Sequence, residues 1–146
     1  MAKFIARHWG EDYVVVHEDI FSPEQLPGFI AITPKGKKIG LVTYQIREEI
    51  CEIITLNSLI PNQGVGTKLV EAVLEEARRS RCSRICPTTT NNNQRAIVFY
   101  KGRGFYLHEV RKGAVNKARE IKPSIPFQSP EGQSITDEWV FSLDII

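Results

Sequence analysis

Cysteine is scarce in this chain: Cys51, Cys82 and Cys86 are the only three in 146 residues. An odd count at irregular spacing excludes a secreted disulfide framework. Long apolar runs are also missing. Tyr13 to Val16 and Ala96 to Tyr100 fall far short of the roughly 20 residues that cross a bilayer, so no membrane partner is expected. The N-terminus shows no basic segment leading into an apolar core and a small-residue cleavage site, and a cytoplasmic protein is therefore expected. Neither sign of charge dominates, since 19 Lys and Arg meet 17 Asp and Glu for a net +2. Basic residues gather only around Arg78, Arg79 and Arg81, which is weak support for nucleic acid and sufficient for an anionic small molecule. Cys82 and Cys86 could in principle share a metal with His108. They read better as two small apolar residues around a strand, and no metal is expected.

What is present is the composition of a globular chain, 42% hydrophobic and 25% charged, with length enough for one domain over 1–146. Lys3 to His8 reads as one or two turns of helix. Tyr13 to His17, Phe29 to Thr33, Ile39 to Ile46 and Cys51 to Leu59 read as a meander of antiparallel strands with turns at Pro34 to Lys38 and Glu48-Glu49. Along Cys51 to Leu59, strict alternation puts Glu52, Ile54 and Leu56 on one face and Ile53 and Thr55 on the other. Val65, Leu69, Val70, Val73, Leu74 and Ala77 recur at helical spacing over Val65 to Ser80. A strand at Arg84 to Thr89, a helix at Asn93 to Arg103 capped by Asn93, and a strand at Phe105 to Val110 follow. Residues 113–133 form an insertion with a short helix at Ala114 to Ile121 and a proline-punctuated remainder, before a last strand at Glu138 to Ile145. The sum is a mixed α/β sheet.

Two motifs carry chemistry. Asn62 to Leu69, NQGVGTKL, is a Gly-x-Gly turn entering a helix, where backbone approaches an anion closely and the first amides donate. Val65, Gly66, Thr67 and Lys68 are the expected donors. A P-loop needs Gly-Lys followed by Ser or Thr, and a dinucleotide fingerprint needs a third Gly where Leu69 stands, so both rivals fail on spelling. The second motif is Asn91 to Phe105, NNNQRAIVFYKGRGF, with Asn93, Ala96 and Tyr100 spaced along one helix. On physics alone Asn93 is a helix cap and Tyr100 an amphipathic core residue. Between the motifs, Pro87 interrupts a strand, which must be an edge or diverge there.

In this order and about 30 residues apart, the two motifs resemble the GNAT superfamily of acyl-CoA-dependent N-acetyltransferases. The resemblance covers Ile39 to Val110, and GAV-x-x-AR followed by KPSIP at Gly113 to Pro126 resembles a group of small bacterial members. It implies a mixed, mostly antiparallel sheet with splayed central strands flanked by helices, and acetyl-CoA as co-substrate. The pyrophosphate would lie on the turn at Gly64 and Gly66, with Asn62, Gln63, Thr67 and Lys68 around it, although Pro61 occupies the place of the usual Gln or Arg. The backbone of Ile54, Thr55 and Leu56 would pair with the pantetheine arm. Asn93 would hydrogen-bond that arm, and Tyr100 the thioester sulfur. Glu52 would be the general base for the attacking amine. Thr88 stands where some members have a base glutamate, which lowers the expectation of a ribosomal-protein-type substrate. Asp137 and Glu138 are lesser candidates, and Cys51 and Cys86 lack any neighbouring His that would make a nucleophile.

The resemblance implies acetyl transfer to a primary amine, with a small molecule as the expected acceptor. The alternative is a CoA-binding or structural module without turnover. The usual first strand and most of the first helical pair look missing or shortened before Tyr13, which invites a partner subunit to complete the acceptor wall. A homodimer stays open, with Phe141 and Leu143 able to serve a core or a contact.

Overall fold

The computed structural model describes residues 3–6, 14–16, 19–21, 26–59 and 64–145. In chain order these form β1 (Lys3–Ala6), β2 (Val14–Val16), β3 (Asp19–Phe21), β4 (Gly28–Ile32), β5 (Lys38–Arg47), β6 (Ile50–Ser58), α1 (Val65–Arg79), β7 (Arg84–Thr90), α2 (Gln94–Gly102), β8 (Tyr106–Arg111), α3 (Ala114–Ile121) and β9 (Glu138–Asp144). Seven strands make one sheet in the order β1-β4-β5-β6-β7-β9-β8, and β2 pairs with β3 apart from it. All neighbours are antiparallel except β6 and β7. Two parallel strands need a crossover, and α1 is that crossover.

β1 corrects the reading of Lys3 to His8 as helix over Lys3–Ala6; Arg7 and His8 lie outside the described residues. Lys3–Ala6 pairs with β4, Phe4 opposite Ala31. So short a segment cannot offset the cost of nucleating a helix, whereas a ready sheet edge gives its amides partners. The first strand, expected to be missing or shortened, is present with four residues.

β5 and β6 form a hairpin whose two turn residues, Glu48 and Glu49, both have positive φ (50° and 67°), as a tight primed turn requires. α1 lies across β4, β5 and β6, with buried Val65, Leu69, Val73 and Ala77 packed on Val42, Tyr44 and Ile53. Gly40 lets it approach: a Cβ there would stand 2.8 Å from Val65 Cγ1. α2 joins the same core through Ile97 and Tyr100, the latter facing Phe105 and Phe141. Among the described residues no helix is long and apolar enough to cross a membrane.

The segment after β8 is ordered by one buried side chain. Arg119 donates to the carbonyls of Ile125 (3.3 Å), Pro126 (2.8 Å) and Ile135, and to Asn116 Oδ1, while its guanidinium lies 4.3 Å from the Phe127 ring centroid. At the outer edge, β8 pairs only with β9, and its register slips at His108 between Leu107 and Glu109.

Candidate functional site

Two irregularities open the middle of the sheet. β6 pairs with β7 from Ile50 opposite Arg84 to Ile53 opposite Pro87, and no further. On its other side β6 faces β5 with Tyr44 opposite Ile53 but Thr43 opposite Thr55. Ile54 is thus one extra residue, a β-bulge, and such a bulge bends and twists its strand. The bend falls where the β7 ladder stops, leaving the backbone of Ile54, Thr55 and Leu56 without a β7 partner. Pro87 acts on the other side: the β7–β9 ladder is interrupted at Cys86 and Pro87 and resumes in the same register at Thr88 opposite Val140, because proline has no N–H to give. The strand is not an edge, since it pairs with β9 as well, but it parts from β6 at Pro87 as expected, where the bulge bends β6 away.

The bulge also corrects the expected faces of β6. Cross-strand partners share a face, so Ile53 sides with Tyr44, and Thr55 with Thr43. The Thr43 and Thr55 hydroxyl oxygens lie 2.6 Å apart. Glu52, opposite Gln45, therefore shares its face with Thr55 rather than with Leu56.

The opening holds a cavity of about 360 Å³ lined by Ile54, Leu56, Thr88, Asn93 and Tyr100 among others. A second, of about 650 Å³, lies between the start of α1 and the outer side of α2, against Gly64, Thr67 and Arg103. Ser58, Gly66, Arg95 and Phe99 line both, so the two form one elongated cleft. Glu52, Thr55 and Lys68 are not among its lining residues. Asn62 and Gln63 lie outside the described residues.

At the start of α1, Gly64 is the N-cap with φ 75° and provides no side-chain cap. A left-handed cap suits glycine. Val65, Gly66 and Thr67 are the first three helical residues, whose amides have no carbonyl one turn back. Lys68 is corrected as an amide donor: its N–H already bonds the Gly64 carbonyl at 3.0 Å, the first rung of the helix. The first turn contains no acidic residue. Gly66 sits under Phe99, where a Cβ would be 3.3 Å from the ring.

α2 forms the opposite wall. Asn93 Oδ1 accepts the Ala96 N–H at 3.1 Å, capping the helix. Tyr100 is 4% exposed and is ringed by Phe99, Phe105 and Phe141 at centroid distances of 5.3, 5.4 and 5.8 Å. Burial pushes its phenol well above the ordinary tyrosine value, so it is a donor rather than an anion near neutral pH.

Several contacts were invisible in the linear order. Arg103 donates through Nε (2.8 Å) and Nη2 to Thr67 Oγ1 and through Nη1 to the Phe99 carbonyl at 3.2 Å, with its guanidinium 3.9 Å from the Phe99 ring centroid. Asn91 ties the β7–α2 turn to the approach to β9. Its Oδ1 accepts the Thr136 and Asp137 N–H groups and its Nδ2 donates to the Ser134 carbonyl. Asp137 accepts the Gly113 N–H at 3.0 Å, and Glu138 is buried opposite Thr90 and Arg111; neither lines the cleft.

All three cysteines are free and buried. Burial pushes the Cys51 thiol up to about 12, with Cys82 and Cys86 adding to it. Burial raises the Cys86 thiol too, partly offset by its hydrogen bond to Ser142 Oγ at 3.6 Å. Thiols so held are poor nucleophiles at neutral pH.

The profile of the family described as the Acetyltransferase (GNAT) family matches residues 3–105. The uncharacterized protein YdhI of Bacillus subtilis is 43% identical over 142 residues, which are 97% of this chain and 89% of that protein. Among solved structures, the IAA acetyltransferase from Bacillus cereus superimposes with a TM-score of 0.72 at 19% identity, over 82% of this chain and 78% of that one. A GNAT family acetyltransferase from Elizabethkingia anophelis with acetyl-CoA bound gives 0.70 at 20% identity, over 82% and 76%. At these identities the two structures share the fold.

Proposed function

We propose that this chain, which belongs to the GNAT acetyltransferase family, moves an acetyl group from acetyl-CoA to the primary amine of a small molecule by direct attack. One observation carries the reading: the β6–β7 ladder stops at Ile53 and Pro87, and the gap runs as one cleft to the free amides of α1. Its shape and donors fit a long co-substrate with a phosphate at one end. The residues to hold it are the Ile54, Thr55 and Leu56 backbone along the arm, Val65, Gly66 and Thr67 amides at the pyrophosphate, and Asn93 beside the arm. Acetyl-CoA would supply an activated acetyl thioester.

Tyr100 is assigned to the sulfur as a hydrogen-bond donor. An alkyl amine of pKa about 10.4 is protonated near pH 7, at a cost of roughly 4.6 kcal/mol before it attacks. Glu52 is assigned to accept that proton through water, since it does not line the cleft. The whole chain is taken as one domain, working in the cytoplasm.

A second reading, CoA binding without turnover, draws on a specific observation: the described lining of the cleft includes no carboxylate and no imidazole. Calorimetry with acetyl-CoA on the wild type and on Gly66→Glu tests both. Gly66 lines both parts of the cleft, and a carboxylate there repels phosphate. Micromolar binding lost in the variant, followed by turnover in a screen of primary amines, is the expected result. Binding with no turnover favours the second reading, and no binding by the wild type sinks both.

A further inference from the structure

Resting on that reading, we infer that the positive charge for the co-substrate's phosphates comes from α2, through Arg95 and Arg103, instead of from the turn before α1. The turn has Pro61 where a Gln or Arg would be expected, and a proline side chain offers no donor. Lys68, the basic residue of the first turn of α1, is outside the cleft lining.

Arg95 and Arg103 both line the wide part of the cleft, facing Gly64 and Thr67. Among the described residues neither has a carboxylate partner: the ion pairs there that are drawn by arginine join Arg79 to Glu75 and Glu76. Arg103 is nevertheless fixed. Its donors rest on a hydroxyl and a carbonyl, both neutral, and its plane rests on Phe99, so the charge is held in position without being neutralised. Arg95 stands in the first turn of α2, where no acidic residue accompanies it. A cation is unfavourable at that end of a helix, and an anion in the cleft relieves the conflict. Two guanidiniums from the two ends of one helix thus face three free amides of another, an arrangement suited to a doubly charged phosphate.

Calorimetry on the full chain decides the matter, using acetyl-CoA, 3′-dephospho-CoA and the phosphate-free acetyl-pantetheine. Arg95→Gln and Arg103→Gln should each weaken acetyl-CoA about tenfold, as loss of a charge-assisted hydrogen bond does, and leave acetyl-pantetheine unchanged. The difference from wild type should shrink as salt rises. Arg103→Lys, which keeps charge but loses the fork and the ring contact, should recover part of the loss. Arg78→Gln, an equal change of net charge on the exposed side of α1, should have no effect. Equal losses with dephospho-CoA put the charge on the pyrophosphate, and losses confined to acetyl-CoA put it on the 3′-phosphate; either supports the inference. Arg95 is exposed, so its variant keeps the test alive if Arg103→Gln fails to fold. Wild-type binding that neither glutamine variant weakens overturns the inference while the function stands. Absence of wild-type binding overturns both.

Discussion

Tyr100 shows how burial decides a side chain's chemistry. Its phenol is pushed above the ordinary value by desolvation, which makes loss of the proton to a thiolate still more uphill than the roughly 1.5 units separating the unperturbed groups. Donating a hydrogen bond to a departing sulfur has no such cost. Tyr100→Phe keeps the ring among Phe99, Phe105 and Phe141 and removes only the hydroxyl. Its kcat should fall about 10- to 100-fold, the worth of one charge-assisted bond, with KM for acetyl-CoA little changed. Steady-state kinetics on an amine returned by the screen measures this, and an unchanged kcat would reduce Tyr100 to packing. Asn93 has a double duty legible from its place alone: its Oδ1 caps α2, and its position brings it to the cleft.

Among elements, α1 was readable from a spacing that burial enforces, 3.6 residues over Val65–Arg79, and most strands from runs of β-branched and aromatic residues bounded by turn residues. Lys3–Ala6 was not, since four residues hold too little period to separate helix from strand. The bulge at Ile54 left no trace for a different reason. One extra residue in a run of Ile, Ile, Thr and Leu changes no composition and breaks no apolar pattern, yet it exchanges the faces of Glu52 and Ile53 relative to Leu56. The Arg103 and Thr67 contact spans 36 positions, and nothing local announces it. Deleting Ile54 should restore strict alternation with Tyr44 still opposite Ile53 and Thr43 opposite Thr55. The β7 ladder can then run on, and the cleft should narrow. Acetyl-CoA binding is expected to weaken at least about tenfold, through loss of backbone hydrogen bonds, while thermal stability holds or rises. Calorimetry paired with a melting curve checks it, and retained affinity would remove the bulge from the account of the site.

For the molecule as a whole, the buried thiols set an alkaline limit. Cys51 in the unfolded chain titrates near 9.0 and in the fold near 12, with Cys82 and Cys86 shifted the same way. Below the unfolded value both states hold the proton and stability is complete. Above it the unfolded chain releases protons that the fold retains, so stability must fall as pH climbs from about 9 toward 12. Urea midpoints measured across that window should decline, and Cys51→Val should flatten the decline; a wild-type midpoint constant through pH 11 would contradict it. The far side of the sheet holds a different safeguard. Tyr106, Leu107 and Val110 on the outermost strand are exposed, and a straight row of free amides beside such side chains would recruit strands from other molecules. The slip at His108 spoils that template, so concentrated solutions of this protein gain resistance to fibril growth from the same one-residue device that, two strands earlier in the chain, parts β6 from β7.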